Sequence, residues 1–146
     1  MSNVIIGVIG VVLFIVLATA SAIFLGQQFT DMHNAGMAAA VVSQAGQIDN
    51  AISLYTQQNG QLPDVSQPSV VLTNLVATGF LKSVPNAGGG NWAMGSSGES
   101  RSVIGPGANA AKVCIAARRQ MSMPNPGTPL ACTNPALTDS DPCCTQ

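Results

Sequence analysis

The chain has 146 residues, too few for two ordinary domains plus a membrane segment, so one long element and one small domain are expected. Charged residues make up 8%, against about 25% in an average globular chain, and the formal net charge is -1. That balance excludes a general electrostatic attraction to nucleic acid or acidic lipid; Arg118 and Arg119, the one adjacent basic pair, read as ordinary solvated helix charges rather than a DNA contact.

The N-terminus carries the first strong signal. No charged side chain precedes Asp31, and an unbroken, mostly apolar run fills Val4 to Leu25. At about 1.5 Å per residue that run spans roughly 30 Å, the thickness of a bilayer hydrocarbon core. Ala18-Thr19-Ala20 and Ala20-Ser21-Ala22 resemble small-residue cleavage sites, but the run is long for a signal peptide and no Lys or Arg precedes it. The first Lys or Arg is Lys82, so the positive-inside rule gives no orientation. We therefore expect a basic leader to have been removed, with Met1 a processed terminus.

Helical patterning continues past the apolar run. No proline occurs before Pro63, and Val41, Ala45, Ile48, Ile52 and Tyr55 recur at spacings of four and three. Gln44, Gln47, Asp49, Asn50 and Gln57 fill the remaining faces. One long helix over residues 1–58 is predicted, apolar all round in 1–28 and amphipathic beyond. Gly26, followed by Gln27 and Gln28, is its expected weak point, and loosening is expected between Ala18 and Gln28. Asn59-Gly60 and Pro63 stop the helix.

The segment 59–146 reads as the globular domain. A short helix is predicted from Pro68 to Thr78, with Leu72, Leu75 and Val76 on one face and Gly79 ending it; Phe80 and Leu81 would pack back on the long helix. Two strands, Asn91–Met94 and Arg101–Ile104, flank a Gly95-Ser96-Ser97-Gly98 turn. Trp92 is the expected core anchor. Asn109 to Met121 reads as a third helix carrying Cys114, with Val113, Ile115 and Ala116 inward, and a Pro-rich coil follows from Met123. The fold class is thus α+β: a long helix on a small domain with short helices and a small antiparallel sheet.

Cys114, Cys132, Cys143 and Cys144 all lie in the last third. Their spacings match no zinc site, whereas a small exported domain with little core calls for disulfides. Cys114 is expected to pair with Cys132, Cys143 or Cys144, and the remaining two non-adjacent cysteines with each other. No metal, cofactor or catalytic constellation is expected. His33 has no candidate catalytic partner and reads as a solvated or interface residue.

The order of these features resembles the type IV pilins. The carriers are Tyr55-Thr-Gln-Gln-Asn59-Gly60-Gln-Leu-Pro63, at the end of the long helix, and Leu75-Val-Ala-Thr-Gly79-Phe80-Leu81-Lys82-Ser83-Val84-Pro85 after it. Met1 and the late cysteines look most like the type IVb branch. The resemblance covers about the first 90 residues; beyond them only the cysteines and glycine content match. It implies a structural subunit of an extracellular pilus for attachment, conjugation or DNA uptake, polymerising through its N-terminal helix. It also implies a prepilin peptidase and assembly machinery as partners, a methylated Met1, residence in the inner membrane before assembly, and an extracellular filament afterwards. The filament core would take Val4, Ile5, Val8, Val11, Val12, Phe14, Ile15 and Leu17.

Where most major pilins carry Phe and Glu, this chain has Met1 and Ile5. In the family that Glu pairs with the N-terminal amine of a neighbour, and no acid precedes Asp31 to replace it. Ser2 or Asn3 offers only a hydrogen-bond acceptor, weaker than an ion pair. The departure favours a minor pilin or pseudopilin that caps a filament; an exported adhesin or binding domain held by one membrane anchor is a separate reading. A flexible linker usually follows such an anchor, and none is evident here.

Overall fold

The structure is a computed structural model that describes residues 2–86, 90–105 and 108–146, with side chains from Ile5 onward except those of residues 24, 25, 27 and 108. In chain order the elements are α1 (Ser2–Asn59), α2 (Pro68–Ala77), β1 (Asn91–Met94), β2 (Ser100–Ile104), α3 (Ala108–Gln120) and β3 (Cys143–Thr145). The chain divides into two compact units, Met1–His33 and Asn34–Gln146. The division falls inside α1 rather than at its end, because the second half of the helix supplies much of the globular core.

Between Ile5 and Ile23 α1 exposes apolar side chains on every face. In the second unit, one face is buried. Ala45, Ile48, Ala51 and Ile52 pack with Val71, Leu72, Leu75, Leu81 and Trp92. Ala38 and Val41 form a separate cluster with Val113 and Ala117 of α3. Ala38, Val41, Ala45, Ile48 and Ile52 follow one another at three or four residues, the spacing that keeps a stripe on one side, and Ala51 lies three after Ile48. Tyr55 closes the first cluster edge-to-face on Phe80, with ring centroids 5.9 Å apart. The helix ends where the Asn59 side-chain amide donates to the Tyr55 carbonyl and Gly60 turns left-handed at φ 72°.

The sheet order is β1-β2-β3. β1 and β2 form the antiparallel hairpin, with Trp92 opposite Ser102 and Met94 opposite Ser100. Gly98 sits in the turn at φ 93°, where an added Cβ would also press to 3.0 Å on Leu62. β3 lies parallel to β2, with Ser102 opposite Cys143. The sheet is therefore mixed and three-stranded, not the purely antiparallel pair expected. The third strand comes from the Pro-rich tail read as coil. Two backbone bonds hold its outer edge: Cys132 N–H to Thr145 O at 2.8 Å and Thr145 N–H to Leu130 O at 2.9 Å.

Trp92 is buried, and its indole N–H donates to the Pro85 carbonyl at 2.9 Å. The segment after α2 returns through a bond from Leu81 N–H to Leu75 O at 3.0 Å, which sets Leu81 in the core.

Candidate assembly segment and the stapled tail

The helix from Ile5 to Ile23 is the feature with the most evident capacity to act. Side chains from Ile5 through Leu17 are 54–72% exposed wherever they are large and apolar. Exposed apolar surface of this extent costs free energy in water, at about 25 cal/mol per Å². By length and composition α1 is the one helix among the described residues able to cross a membrane. Between Ile5 and Ile23 the two polar side chains, Thr19 and Ser21, bond within the helix. Thr19 Oγ1 donates to the carbonyls of Ile15 and Val16 at 3.0 Å, and Ser21 Oγ to the Leu17 carbonyl at 2.8 Å. A segment with no unmet donor can enter an apolar medium without a polar partner.

Of the positions expected to pack in an assembly, Ile5, Val8, Val11, Val12, Phe14, Ile15 and Leu17 are all exposed in the single chain. Met1 and the side chain of Val4 lie outside the described residues. α1 runs unbroken through Gly26, whose carbonyl accepts Thr30 Oγ1 at 3.1 Å. His33 is exposed.

The second notable region joins α3 to the C-terminal tail. Cys114 is bonded to Cys143 and Cys132 to Cys144, with Cα separations of 5.8 and 4.9 Å, and all four cysteines are used. Beside the first bridge, Arg118 pairs with Asp141, both at least 95% buried. Asp141 Oδ2 also accepts the Thr138 backbone N–H and hydroxyl, and Arg118 Nη2 donates to the Pro124 carbonyl at 3.3 Å. Arg118 is thus not the solvated helix charge expected of it; only Arg119 of that pair is exposed. The physical reason is a carboxylate contributed from 23 residues away, which no local pattern announces. A second pair, Arg101 with Asp139 at 3.0 Å, holds the tail to β2, and Asp139 accepts the Ser97 hydroxyl at 3.3 Å.

Asp64, between α1 and α2, has its carboxyl held below the usual carboxylate range by the Ser66 hydroxyl, then by the Ser66 backbone N–H. This is a local turn, and Asp64 is fully exposed. A groove of about 590 Å³ runs between Pro68, Leu72, Val84 and Trp92, and none of its lining residues carries a titratable side chain. Among the described residues no three His, Cys, Asp or Glu side chains gather as a metal site.

No family model, curated protein or solved structure matches this chain.

Proposed function

We propose that this chain is a structural subunit of an extracellular, type IV-like pilus. Its apolar segment lies in the inner membrane before assembly and in a core of many copies afterwards. One observation carries the reading: a helix exposed and apolar on every face from Ile5 to Leu17 continues without interruption into one whose buried face builds a disulfide-held domain. A simple anchor needs no such continuity. Lipid satisfies the first part of the helix in the single chain. Identical helices satisfy it in a polymer, and repeated head-to-tail contacts that do not close generate a helical filament. The disulfides suit an oxidising compartment. In this reading pilus assembly machinery extracts the subunit from the membrane. Attachment, conjugation and DNA uptake are the roles such a filament would serve.

Ile5 favours a second version of the same reading, a minor pilin or pseudopilin that caps a filament. A subunit without an acid before Asp31 cannot neutralise a neighbour's terminal amine by an ion pair there. Electron microscopy of sheared surface material, labelled with antibody to residues 61–146, separates the two. Label along whole filaments is expected for the main reading and label confined to filament ends for the capping one. Label that stays with the membrane fraction, with no filament decorated, overturns both and leaves an anchored exported domain.

A further inference from the structure

Cys143 and Cys144 are adjacent, so two bridged arrangements differ only in which of them meets Cys114. Successive side chains of a strand point to opposite faces. In β3 Cys143 lies with Cys114 and Ile104, while Cys144 is bonded to Cys132. A slip of one residue would exchange the two faces, and the disulfides with them. Correct pairing is therefore a question of register.

We infer that the buried Arg118–Asp141 pair is the register pin that selects Cys143 over Cys144 as the partner of Cys114. Arg118 follows Cys114 by four residues, one turn along α3, about 6 Å. Asp141 precedes Cys143 by two residues, with Pro142 between them in a bend, so the chain separates the two by at most about 7 Å. The two links thus join α3 to the tail as matched rungs. A one-residue slip brings Pro142 to Arg118 and leaves a buried guanidinium with no carboxylate, which is strongly unfavourable. The β2–β3 ladder alone does not forbid the slip, because backbone pairing can re-form one residue along. The Asp141 carboxylate is itself fixed by the Thr138 N–H and hydroxyl, so its position is set within the tail.

The pin acts before the bridges close. With glutathione disulfide as oxidant, a cysteine thiolate attacks one glutathione sulfur and expels a glutathione thiolate. The second cysteine thiolate then attacks the mixed disulfide at the protein sulfur and expels the other. Two cysteine thiols lose two protons and two electrons, and one glutathione disulfide becomes two glutathione thiols. With Asp141 seated on Arg118, Cys143 is the thiol within reach of Cys114.

The test is reoxidation of the reduced, unfolded full chain in detergent micelles with a glutathione redox buffer. Pairings are read by partial reduction, differential alkylation and mass spectrometry. The unaltered chain should return mainly Cys114–Cys143 with Cys132–Cys144. Asp141→Asn should lower the ratio of Cys114–Cys143 to Cys114–Cys144 several-fold. Asp139→Asn, which breaks the other ion pair of the tail, should leave that ratio unchanged. Asp141→Ala combined with Pro142→Asp moves the carboxylate by one residue and should make Cys114–Cys144 the major product. An unchanged ratio in Asp141→Asn, an equal fall in Asp139→Asn, or no reversal in the shifted variant overturns the assignment. None of these readouts depends on filament formation.

Discussion

Asp49 of α1 and Ser100 of β2 are joined across 51 positions of sequence: the Asp49 carboxylate accepts the Ser100 backbone N–H at 2.7 Å. One helical turn earlier, the Ala45 carbonyl accepts the Ser100 hydroxyl at 3.0 Å. The long helix therefore grips the first residue of the central strand with two hydrogen bonds, and this fixes the hairpin on the helix beyond what apolar packing alone would do. Asp49→Ala leaves a largely buried N–H without its acceptor, and a loss of about 1–3 kcal/mol in stability is expected. Asp49→Asn keeps an acceptor oxygen and should lose less. Denaturant unfolding of the full chain in detergent, followed by Trp92 fluorescence, measures both. Equal midpoints for Asp49→Ala and the unaltered chain would refute this role.

The division of the chain inside α1 predicts where it can be cut. A chain beginning at Asn34 keeps Ala38, Val41, Ala45, Ile48, Ala51 and Ile52, the face that both larger clusters need. It should fold, with a cooperative transition and near-ultraviolet dichroism from Trp92. A chain beginning at Gln61 loses that whole face. Removing a single large core side chain costs about 2–5 kcal/mol, and total stabilities are only about 5–15 kcal/mol. It should remain unfolded. A protease-resistant domain from the shorter chain would show that the helix is dispensable to the core.

The two halves of the molecule differ in how openly their sequence declares them. The buried face of α1 was readable from Val41, Ala45, Ile48 and Ile52, because a long stripe at helical spacing repeats its signal many times. The hairpin was readable from Gly95 and Gly98 between two short β-prone runs. β3 was not readable: three residues, two of them cysteines, give no alternation to detect, and its pairing is set by β2 and by two bridges distant in sequence. Arg118 was misread, and the bond of Asp49 to Ser100 went unforeseen, for one shared reason. A polar residue on a helix reads as solvated unless its partner is known, and both partners lie far along the chain. Arg118 did carry a faint cue, standing one turn after Cys114 and so on the same face as a bridged residue.

The bridges close loops of different length, with sequence separations of 29 and 12 residues. By the loop-entropy relation their contributions are about 3.6 and 2.8 kcal/mol. Replacing Cys114 and Cys143 together by Ser should therefore destabilise the domain somewhat more than replacing Cys132 and Cys144 together. Both changes act on the second unit. Amide exchange in the segment 5–30, measured in detergent, should be unaltered in either variant. Thiol labelling of the unaltered chain, unfolded without reductant, should find no free thiol. Four labelled thiols would remove the basis for placing the domain in an oxidising compartment.

Phe14 is 72% exposed in the single chain and stands in the middle of the apolar segment. If that segment is buried among copies, an acid there must be taken from water, and no Lys or Arg precedes Lys82 to pair with it. At the centre of an apolar helix the cost of an aspartate is about 3 kcal/mol in each copy, and a filament accumulates it with every subunit added. Phe14→Asp should abolish filaments while leaving the fold of the second unit intact, as read by its disulfides and by Trp92. Phe14→Leu keeps the apolar character and should assemble. Electron microscopy of sheared material from cells expressing each variant supplies the comparison. Abundant filaments of normal form from Phe14→Asp would show that this face of the helix meets water rather than other copies, and the polymer reading would fall with it.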